Sequence, residues 1–255
     1  MALQTDMAQT LRDAGRALML SNYIMETYSK KATPKQAQFL LEMFETELAY
    51  RDENRRLRLK KRAAFPAVKS FEGFDWSYTS LPQTITKDDI VDATFITRKE
   101  NILCLGPVGT GKTHLMVACG VRACEMGMKV RFITTAELVL RLMGAKETGS
   151  LEKVLSEFTS YDCLLLDELG YVPIDRDGSR LLFQVVSRLY ETHSLMLSSN
   201  LEFSRWASVL TEEQMASAMI DRLLHHGHVI TFKGESYRIR HALMNTKGTG
   251  GKNGH

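Results

Sequence analysis

Residues 106–113 read Gly-Pro-Val-Gly-Thr-Gly-Lys-Thr, which fits the pattern G-x-x-x-x-G-K-[ST] at every fixed position. The apolar run 101–105 before this stretch predicts a buried strand, and the apolar and small residues of 115–126 after it predict a helix. A strand, a glycine loop and a helix in this order point backbone N–H groups and a helix N-terminus at phosphate groups. The pattern therefore predicts a phosphate-binding loop.

The residue types of this loop suit a nucleoside triphosphate with Mg²⁺. The three glycines let the backbone close around an anion because no Cβ atom stands in the way. Lys112 is predicted to reach the β- and γ-phosphates of ATP, and the Thr113 hydroxyl is predicted to bind Mg²⁺. The alternative is a glycine-rich turn that binds nothing, but the flanking strand and helix argue against it. The candidate cofactor-binding residues are Gly106, Pro107, Val108, Gly109, Thr110, Gly111, Lys112, Thr113 and His114.

A second predicted strand ends in two carboxylates. Residues 161–168 read Tyr-Asp-Cys-Leu-Leu-Leu-Asp-Glu, and ligands of open α/β sheets bind at the carboxyl ends of the strands. Asp167 is therefore predicted to share the Mg²⁺ with Thr113, and Glu168 to orient or deprotonate the attacking water. An isolated Asp-Glu pair is more often a helix cap. Here it follows a phosphate loop at a suitable distance, and simple P-loop kinases need no such base, so the pair favours hydrolysis.

A third predicted strand ends in Asn200, within the sequence Ser-Leu-Met-Leu-Ser-Ser-Asn of residues 194–200. If this strand lies between the other two, Asn200 would sit between Lys112 and Glu168. It could then hold the lytic water or the γ-phosphate. The alternative is an ordinary turn-forming asparagine at a strand end.

Composition indicates a soluble globular protein. The chain has 255 residues, of which 44% are hydrophobic and 25% charged, with a net charge of +3. The sequence has no run of 18 apolar residues and no signal-peptide pattern at its start, so we expect a cytoplasmic protein without membrane association. A basic surface for a partner must be local, because the net charge is small.

Cysteine and histidine residues do not indicate a metal site in the sequence. The four cysteines lack a C-x-x-C pair, so we expect buried free thiols in a reducing compartment. His225, His226 and His228 have no carboxylate or cysteine at ligand spacing along the chain. This pattern favours a solvated helix end over a metal site.

The chain is predicted to fall into four segments. Residues 1–64 form a helical N-terminal domain for binding DNA or a partner, and 65–82 form an irregular linker. Residues 83–245 form the ATPase domain, and the Gly-, Lys- and Asn-rich residues 246–255 form a disordered tail. The aromatic residues of the linker are expected to pack onto the following domain; they are Phe71, Phe74 and Trp76.

Strands and helices alternate through the third segment, which predicts an α/β fold with a doubly wound, parallel five-stranded sheet. No full helical lid is expected after the last strand. The predicted strands are 101–105, 129–134, 162–167, 195–199 and 228–232.

A long basic helix is predicted before the linker. Thr33 and Gln36 form a capping box around Pro34, and a helix from there to Arg62 would be about 45 Å long. Its last part holds seven basic and two acidic residues, a density that suits contacts with the phosphates of duplex DNA. The alternative is a solvated helix face. The candidate DNA-binding residues are Arg51, Arg55, Arg56, Arg58, Lys60, Lys61 and Arg62.

Four stretches together resemble the IstB family, the AAA+ helper ATPases of bacterial insertion sequences. This family is similar to the DnaC-type loaders of replicative helicases. The stretches are GPVGTGKTH (106–114), LLLDELGYVPID (164–175), LSSN (197–200) and MIDRLLHHGHVITFKGESYRIR (219–240).

The resemblance implies an ATP-dependent homo-oligomer, a ring or spiral, that wraps duplex DNA and recruits or activates a cognate transposase. It also implies that Arg222 is a finger entering a neighbouring subunit's ATP site and that Arg238 is a second sensor. A helicase loader that prefers single-stranded DNA is the first alternative. The others are a metabolic P-loop kinase and a nucleotide-gated DNA-binding scaffold with negligible turnover.

Overall fold

The computed structural model describes residues 2–234 and 236 of the chain. Short 3₁₀ helices cover Trp76–Tyr78 and Phe203–Arg205. The α-helices are α1 (Ala2–Ala17), α2 (Asn22–Lys31), α3 (Pro34–Ala63), α4 (Lys87–Val91), α5 (Thr94–Thr97), α6 (Lys112–Glu125), α7 (Thr135–Glu147), α8 (Leu151–Phe158), α9 (Arg176–Leu189), α10 (Trp206–Leu210) and α11 (Glu213–His225). The strands are β1 (Thr79–Ser80), β2 (Asn101–Leu105), β3 (Val130–Thr134), β4 (Cys163–Leu169), β5 (Ser194–Ser199) and β6 (Gly227–Phe232).

The chain divides into two compact units, Met1–Arg58 and Leu59–His255, and the division falls within α3. The first unit is helical, and its small core contains Leu11, Met25, Ala37 and Phe44. The predicted capping box at the start of α3 is confirmed. The Thr33 N–H donates to the Gln36 side-chain oxygen at 2.9 Å, and the Gln36 N–H donates to the Thr33 hydroxyl at 3.4 Å.

The second unit is built on one sheet with the strand order β1-β6-β2-β5-β4-β3. Strands β2 to β6 run parallel to one another, which confirms the predicted parallel α/β fold. The sheet differs from the prediction by one strand, because β1 adds to its edge, antiparallel to β6. This strand has two residues, too few to show a period-two pattern in the sequence.

The sheet is buried on both faces, as a parallel sheet with crossover helices requires. Side chains alternate along each strand, so Leu103 and Leu105 enter one core while Ile102 and Cys104 enter the other. The first core is covered by α7 to α11 and the second by α4 to α6. This arrangement leaves the carboxyl ends of the strands as the edge where loops can present functional groups.

The aromatic residues of the linker pack against the second core, as predicted. The rings of Phe71 and Trp76 are stacked with centroids 6.0 Å apart, and Phe74 meets Trp76 edge-on at 4.9 Å. Phe74 also lies beside the glycine loop, because a Cβ atom on Gly111 would stand 3.5 Å from its ring. The linker is thus fixed next to the predicted phosphate-binding loop.

The four cysteines are buried and unpaired, which confirms the predicted free thiols. Burial raises the pKa of each thiol, to about 11 for Cys124, so all four stay neutral near pH 7.

Among the helices of the described residues, none has the length and apolar character needed to span a bilayer. The predicted tail and Arg238 lie outside the described residues.

Candidate active site

The loop between β2 and α6 contains glycines that no other residue could replace without strain. Gly106 has φ 146°, and a Cβ atom there would stand 2.3 Å from the backbone oxygen of Phe232. Gly111 has φ 105° and directly precedes α6, which begins at Lys112. The loop therefore passes directly into the N-terminus of a 14-residue helix, where backbone N–H groups lack partners within the helix. This is the local geometry that the sequence motif predicts.

Lys112 is folded back onto this loop. Its ammonium group donates to the backbone oxygens of Gly106 at 2.6 Å and Pro107 at 2.7 Å. Burial lowers the pKa of Lys112, and nearby negative charge, including that of Asp167, opposes the shift only in part. A buried ammonium held by neutral carbonyls gains a stronger partner when a phosphate oxygen reaches it.

Thr113 and Asp167 meet at the carboxyl edge of the sheet. The Thr113 hydroxyl donates to the Asp167 carboxylate at 2.9 Å, and the Ser198 hydroxyl donates to the other carboxylate oxygen. The Thr135 hydroxyl donates to the backbone oxygen of Asp167 at 2.9 Å. Asp167 is only 3% exposed, so these bonds fix the orientation of a buried carboxylate.

Glu168 follows Asp167 in a left-handed backbone conformation, with φ 63°. The pairing of β4 with β5 shifts register between Leu166 and Leu169, and the Glu168 N–H donates to the Ser198 hydroxyl at 3.0 Å. A bulge of this kind re-aims a side chain, and the Glu168 side chain is exposed although both its neighbours are buried. A left-handed conformation at a residue with a Cβ atom costs on the order of 1–3 kcal/mol and is concentrated at functional sites.

Asn200 lies at the end of β5, which runs between β2 and β4 as the sequence interpretation required. Ser199 pairs with Leu105 on one side and Leu169 on the other. Asn200 is exposed, and a Cβ atom on Gly170 would stand 3.6 Å from its side-chain oxygen. The carboxyl ends of three adjacent strands thus present Lys112, Thr113, Asp167, Glu168 and Asn200 at one edge.

Arg222 is not part of this group within one chain. It lies in the last turn of α11, with its guanidinium carbon 4.4 Å from the ring centre of Phe183. The neighbouring Leu223 accepts a 3.3 Å hydrogen bond from the side chain of Asn101, the first residue of β2. The phosphate loop follows the other end of β2, roughly 15 Å away at about 3.3 Å per residue. Arg222 and the loop therefore lie at opposite edges of the sheet.

The basic residues lie along α3, and each compact unit contains some of them. Arg51, Arg55 and Arg58 belong to the first unit, are exposed, and share one helix face because they are spaced by four and three residues. Lys60, Lys61 and Arg62 belong to the second unit. Some of the charges are paired: Arg51 with Glu47 at 2.6 Å, Arg56 with Asp52 at 2.6 Å and Lys60 with Glu125 at 2.8 Å.

Two arrangements of side chains created by the fold were not predicted from the sequence. Ser198 supports both Asp167 and Glu168, and the only signal for it in the sequence is that two serines follow the apolar run of β5. His225 and His226 are exposed at the end of α11, as expected, while His228 is buried in β6 instead. The fold brings a carboxylate to the first two that their spacing along the chain does not show. Glu191 lies 3.7 Å and 3.5 Å from their ring nitrogens, brought there by the fold from a distant part of the chain.

The family model described as IstB-like ATP binding protein matches residues 7–245 of this chain. The chain is 38% identical over 218 residues to a protein of Geobacillus stearothermophilus named for ATP binding in insertion sequence IS5376, covering 85% of this chain and 86% of that protein. It is 35% identical over 222 residues to the corresponding protein of insertion sequence IS21 from Pseudomonas aeruginosa, covering 86% and 84%.

Solved structures show the same AAA+ fold at low identity. AMPPCP-bound DnaA from Aquifex aeolicus matches with a TM-score of 0.53 and 18% identity, over 75% of this chain and 58% of that one. The DnaC helicase loader matches with a TM-score of 0.50 and 19% identity, over 64% of this chain and 96% of that one. The match thus spans little more than half the length of the DnaA chain.

Proposed function

Because this chain belongs to the family of IstB-like ATP binding proteins, we propose that it is the AAA+ ATPase of an insertion sequence. The observation that carries the proposal is the convergence of Lys112, Thr113, Asp167 and Glu168 at one edge of the sheet. Binding of ATP needs the first three of these residues, and hydrolysis needs the fourth as a base. A metabolic P-loop kinase needs no such base.

The donor atoms fit Mg²⁺. A threonine hydroxyl and a carboxylate are hard oxygen ligands, and they lie 2.9 Å apart. Thr113 and Asp167 would hold the ion, which would neutralise charge on the phosphate oxygens. Lys112 would exchange its two loop carbonyls for the β- and γ-phosphates. Glu168 would accept a proton from the attacking water, and Asn200 would hold that water in line.

Arg222 would act on the ATP of a neighbouring subunit. It lies at the opposite edge of the sheet from its own loop, so a single chain cannot bring it to its own γ-phosphate without rebuilding the fold. In a ring or spiral, subunits contact each other head to tail. The edge of one sheet where its strands begin, which carries Arg222, would then meet the edge of the next sheet where its strands end, which carries the phosphate loop. Hydrolysis would then require assembly.

Duplex DNA and a cognate transposase are the proposed partners. The exposed arginine face of α3 supports the DNA part, because closely spaced guanidinium groups bind phosphates without sequence preference. The insertion-sequence names of the relatives support the transposase part. They also favour this function over a DnaC-like helicase loader, since the likeness to that loader shows the fold alone.

Electron microscopy of the protein with a non-hydrolysable ATP analogue tests the proposal directly. We expect closed or spiral oligomers on duplex DNA, and fewer on single-stranded DNA of equal length. Lys112→Ala should lose both the nucleotide and the oligomers, while Lys99→Ala, an exposed lysine away from the loop, should keep both. If Lys112→Ala binds the analogue as tightly as the unmodified chain, the assigned ATP site is wrong. A preference for single-stranded DNA would favour the loader.

A further inference from the structure

Glu191, His225 and His226 bring three possible metal ligands together at the surface of the second unit. One carboxylate oxygen of Glu191 lies 3.7 Å from Nδ1 of His225 and 3.5 Å from Nε2 of His226. The three ligand atoms all lie within 4.8 Å of one another. Among the residues that the structure describes, no other set of three histidine, cysteine or acidic side chains is arranged this closely.

The two separations from Glu191 are close to those that a tetrahedral metal site requires. Zinc binds nitrogen and carboxylate oxygen at about 2.0–2.2 Å, which puts neighbouring ligand atoms about 3.4 Å apart in a tetrahedron. The two measured distances exceed that value by a few tenths of an ångström, a gap that small side-chain rotations close. We propose that Glu191, His225 and His226 bind a divalent transition metal ion of the zinc class. Two imidazoles and one carboxylate favour such an ion over Mg²⁺ or Ca²⁺.

The ligands come from two places that only the fold brings together. Glu191 lies just after α9 in a left-handed conformation with φ 58°, while His225 ends α11 and His226 caps it. Each side chain is about half exposed, at 50% to 55%, so an ion can enter from solvent without opening the core. Bound metal would therefore tie the end of α9 to the end of α11.

One neighbouring group competes with the metal. The Tyr190 hydroxyl lies 2.8 Å from Nδ1 of His225, the same nitrogen that faces Glu191. Tyrosine is not among the side chains that usually bind zinc, which are cysteine, histidine, aspartate and glutamate. Water, rather than Tyr190, would complete the coordination, and removing the hydroxyl should make metal binding tighter.

The position of the site gives it a mechanical consequence. Arg222 lies one helical turn before His226, and its contact Phe183 lies on α9. An ion that joins the ends of these two helices would restrain the turn that carries Arg222. Any effect of the ion on ATP hydrolysis rests on the function proposed above for Arg222. Metal binding and restraint of the end of α11 do not depend on that function.

Calorimetric titration of the full chain with Zn²⁺, in excess Mg²⁺ to occupy the other site, tests the binding. We expect one ion per chain, and at least tenfold weaker binding in both His226→Ala and Glu191→Gln. His193→Ala is the matched control, since it removes a half-buried histidine two residues from Glu191 that is not one of the three ligands, and it should bind as the unmodified chain does. Tyr190→Phe should bind more tightly. Equal affinity in all five proteins, or no binding to the unmodified chain, would overturn the proposal.

Hydrogen exchange supplies a readout that does not depend on ATP hydrolysis. Zn²⁺ should slow amide exchange in residues 220–227 of the unmodified chain and leave it unchanged in His226→Ala. If exchange slows equally in both, the ion acts elsewhere and the site is wrong. If Zn²⁺ does not bind, the proposed ATPase function is unaffected. If the protein does not hydrolyse ATP, the proposed metal site is unaffected.

Discussion

The hydroxyl of Thr113 donates a 2.9 Å hydrogen bond to the carboxylate of Asp167, although the two residues are 54 positions apart in the chain. The bond joins the first turn of α6 to the end of β4, and the Ser198 hydroxyl holds the second carboxylate oxygen. The two groups predicted to bind Mg²⁺ are therefore already oriented towards one point. Glu168 follows Asp167 directly, so its position depends on the same contacts.

Replacing Glu168 by Gln should stop hydrolysis and leave ATP binding intact. The amide keeps the size of the side chain but cannot accept a proton from water. ATP-bound subunits should consequently remain assembled on DNA. Phosphate release and equilibrium nucleotide binding measure the two effects separately. Glu147→Gln, at an exposed position at the end of α7, is the control and should hydrolyse ATP normally. An unchanged rate in Glu168→Gln would show that Glu168 is not the base.

The left-handed backbone at Glu168 should lower the free energy of unfolding of the protein. With φ 63° the residue is strained for any side chain, but not for glycine. Glu168→Gly should therefore be more stable to denaturant than Glu168→Ala by about 1 kcal/mol, although both lack the carboxylate and should be inactive. Comparing these two variants isolates the backbone from the lost side chain. If Glu168→Ala is as stable as Glu168→Gly, the left-handed conformation stores no strain.

The sequence was sufficient to predict the parallel strands, the phosphate loop and the polar residues at the carboxyl ends of the strands. Each of these depends on local patterns: the apolar run of β2, three glycines, and polar residues directly after apolar runs. Contacts between distant segments were not predictable in the same way. The packing of β4, β5, α9 and α11 determines three such contacts, and no spacing along the chain encodes them. They are Ser198 with Asp167, Glu191 with His225, and Phe183 with Arg222.

The same distinction explains the bulge at Glu168. Glu168 lies within β4, so in a regular strand its side chain would point towards one of the two cores that cover the sheet. The register shift between Leu166 and Leu169 turns it outward, and at that point the Glu168 N–H donates to the Ser198 hydroxyl of the neighbouring strand. The period of the strand is thus interrupted where a contact between strands satisfies the backbone.

Neutralising the arginine face of α3 should weaken binding to all DNA sequences alike. In the variant with Arg51, Arg55 and Arg58 changed to Gln, three lost phosphate contacts would reduce the slope of log K against log salt by up to about 2.7 units. A variant with Lys99, Lys146 and Lys153 changed to Gln removes the same charge elsewhere and is the control. Titration of duplex DNA at several salt concentrations measures both. Equal slopes in the two variants would mean that the α3 face is only solvated.

Phe183 should act as a positioning residue for Arg222. The guanidinium carbon lies 4.4 Å from the ring centre, and such a contact is worth about 0.5–1 kcal/mol at a partly exposed site. Phe183→Leu should therefore lower kcat about 2–5-fold with KM for ATP unchanged, because the ATP loop lies at the other edge of the sheet. Phe203→Leu, which changes a ring packed against the same core, should leave kcat unchanged. A rise in KM without a fall in kcat would contradict the role of Phe183.

Arg222 is proposed to complete the ATP site of a neighbouring subunit. A finger supplied in this way can be worth ~10³–10⁵ in turnover, or about 4–7 kcal/mol of barrier. The most direct measurement mixes two inactive variants, Arg222→Ala and Glu168→Gln, and follows phosphate release as their ratio changes. Action between subunits predicts that activity returns in the mixture, since some interfaces pair an intact Arg222 with an intact Glu168. No recovery at any ratio, with mixed assemblies confirmed by microscopy, would show that Arg222 does not act on a neighbouring subunit's ATP.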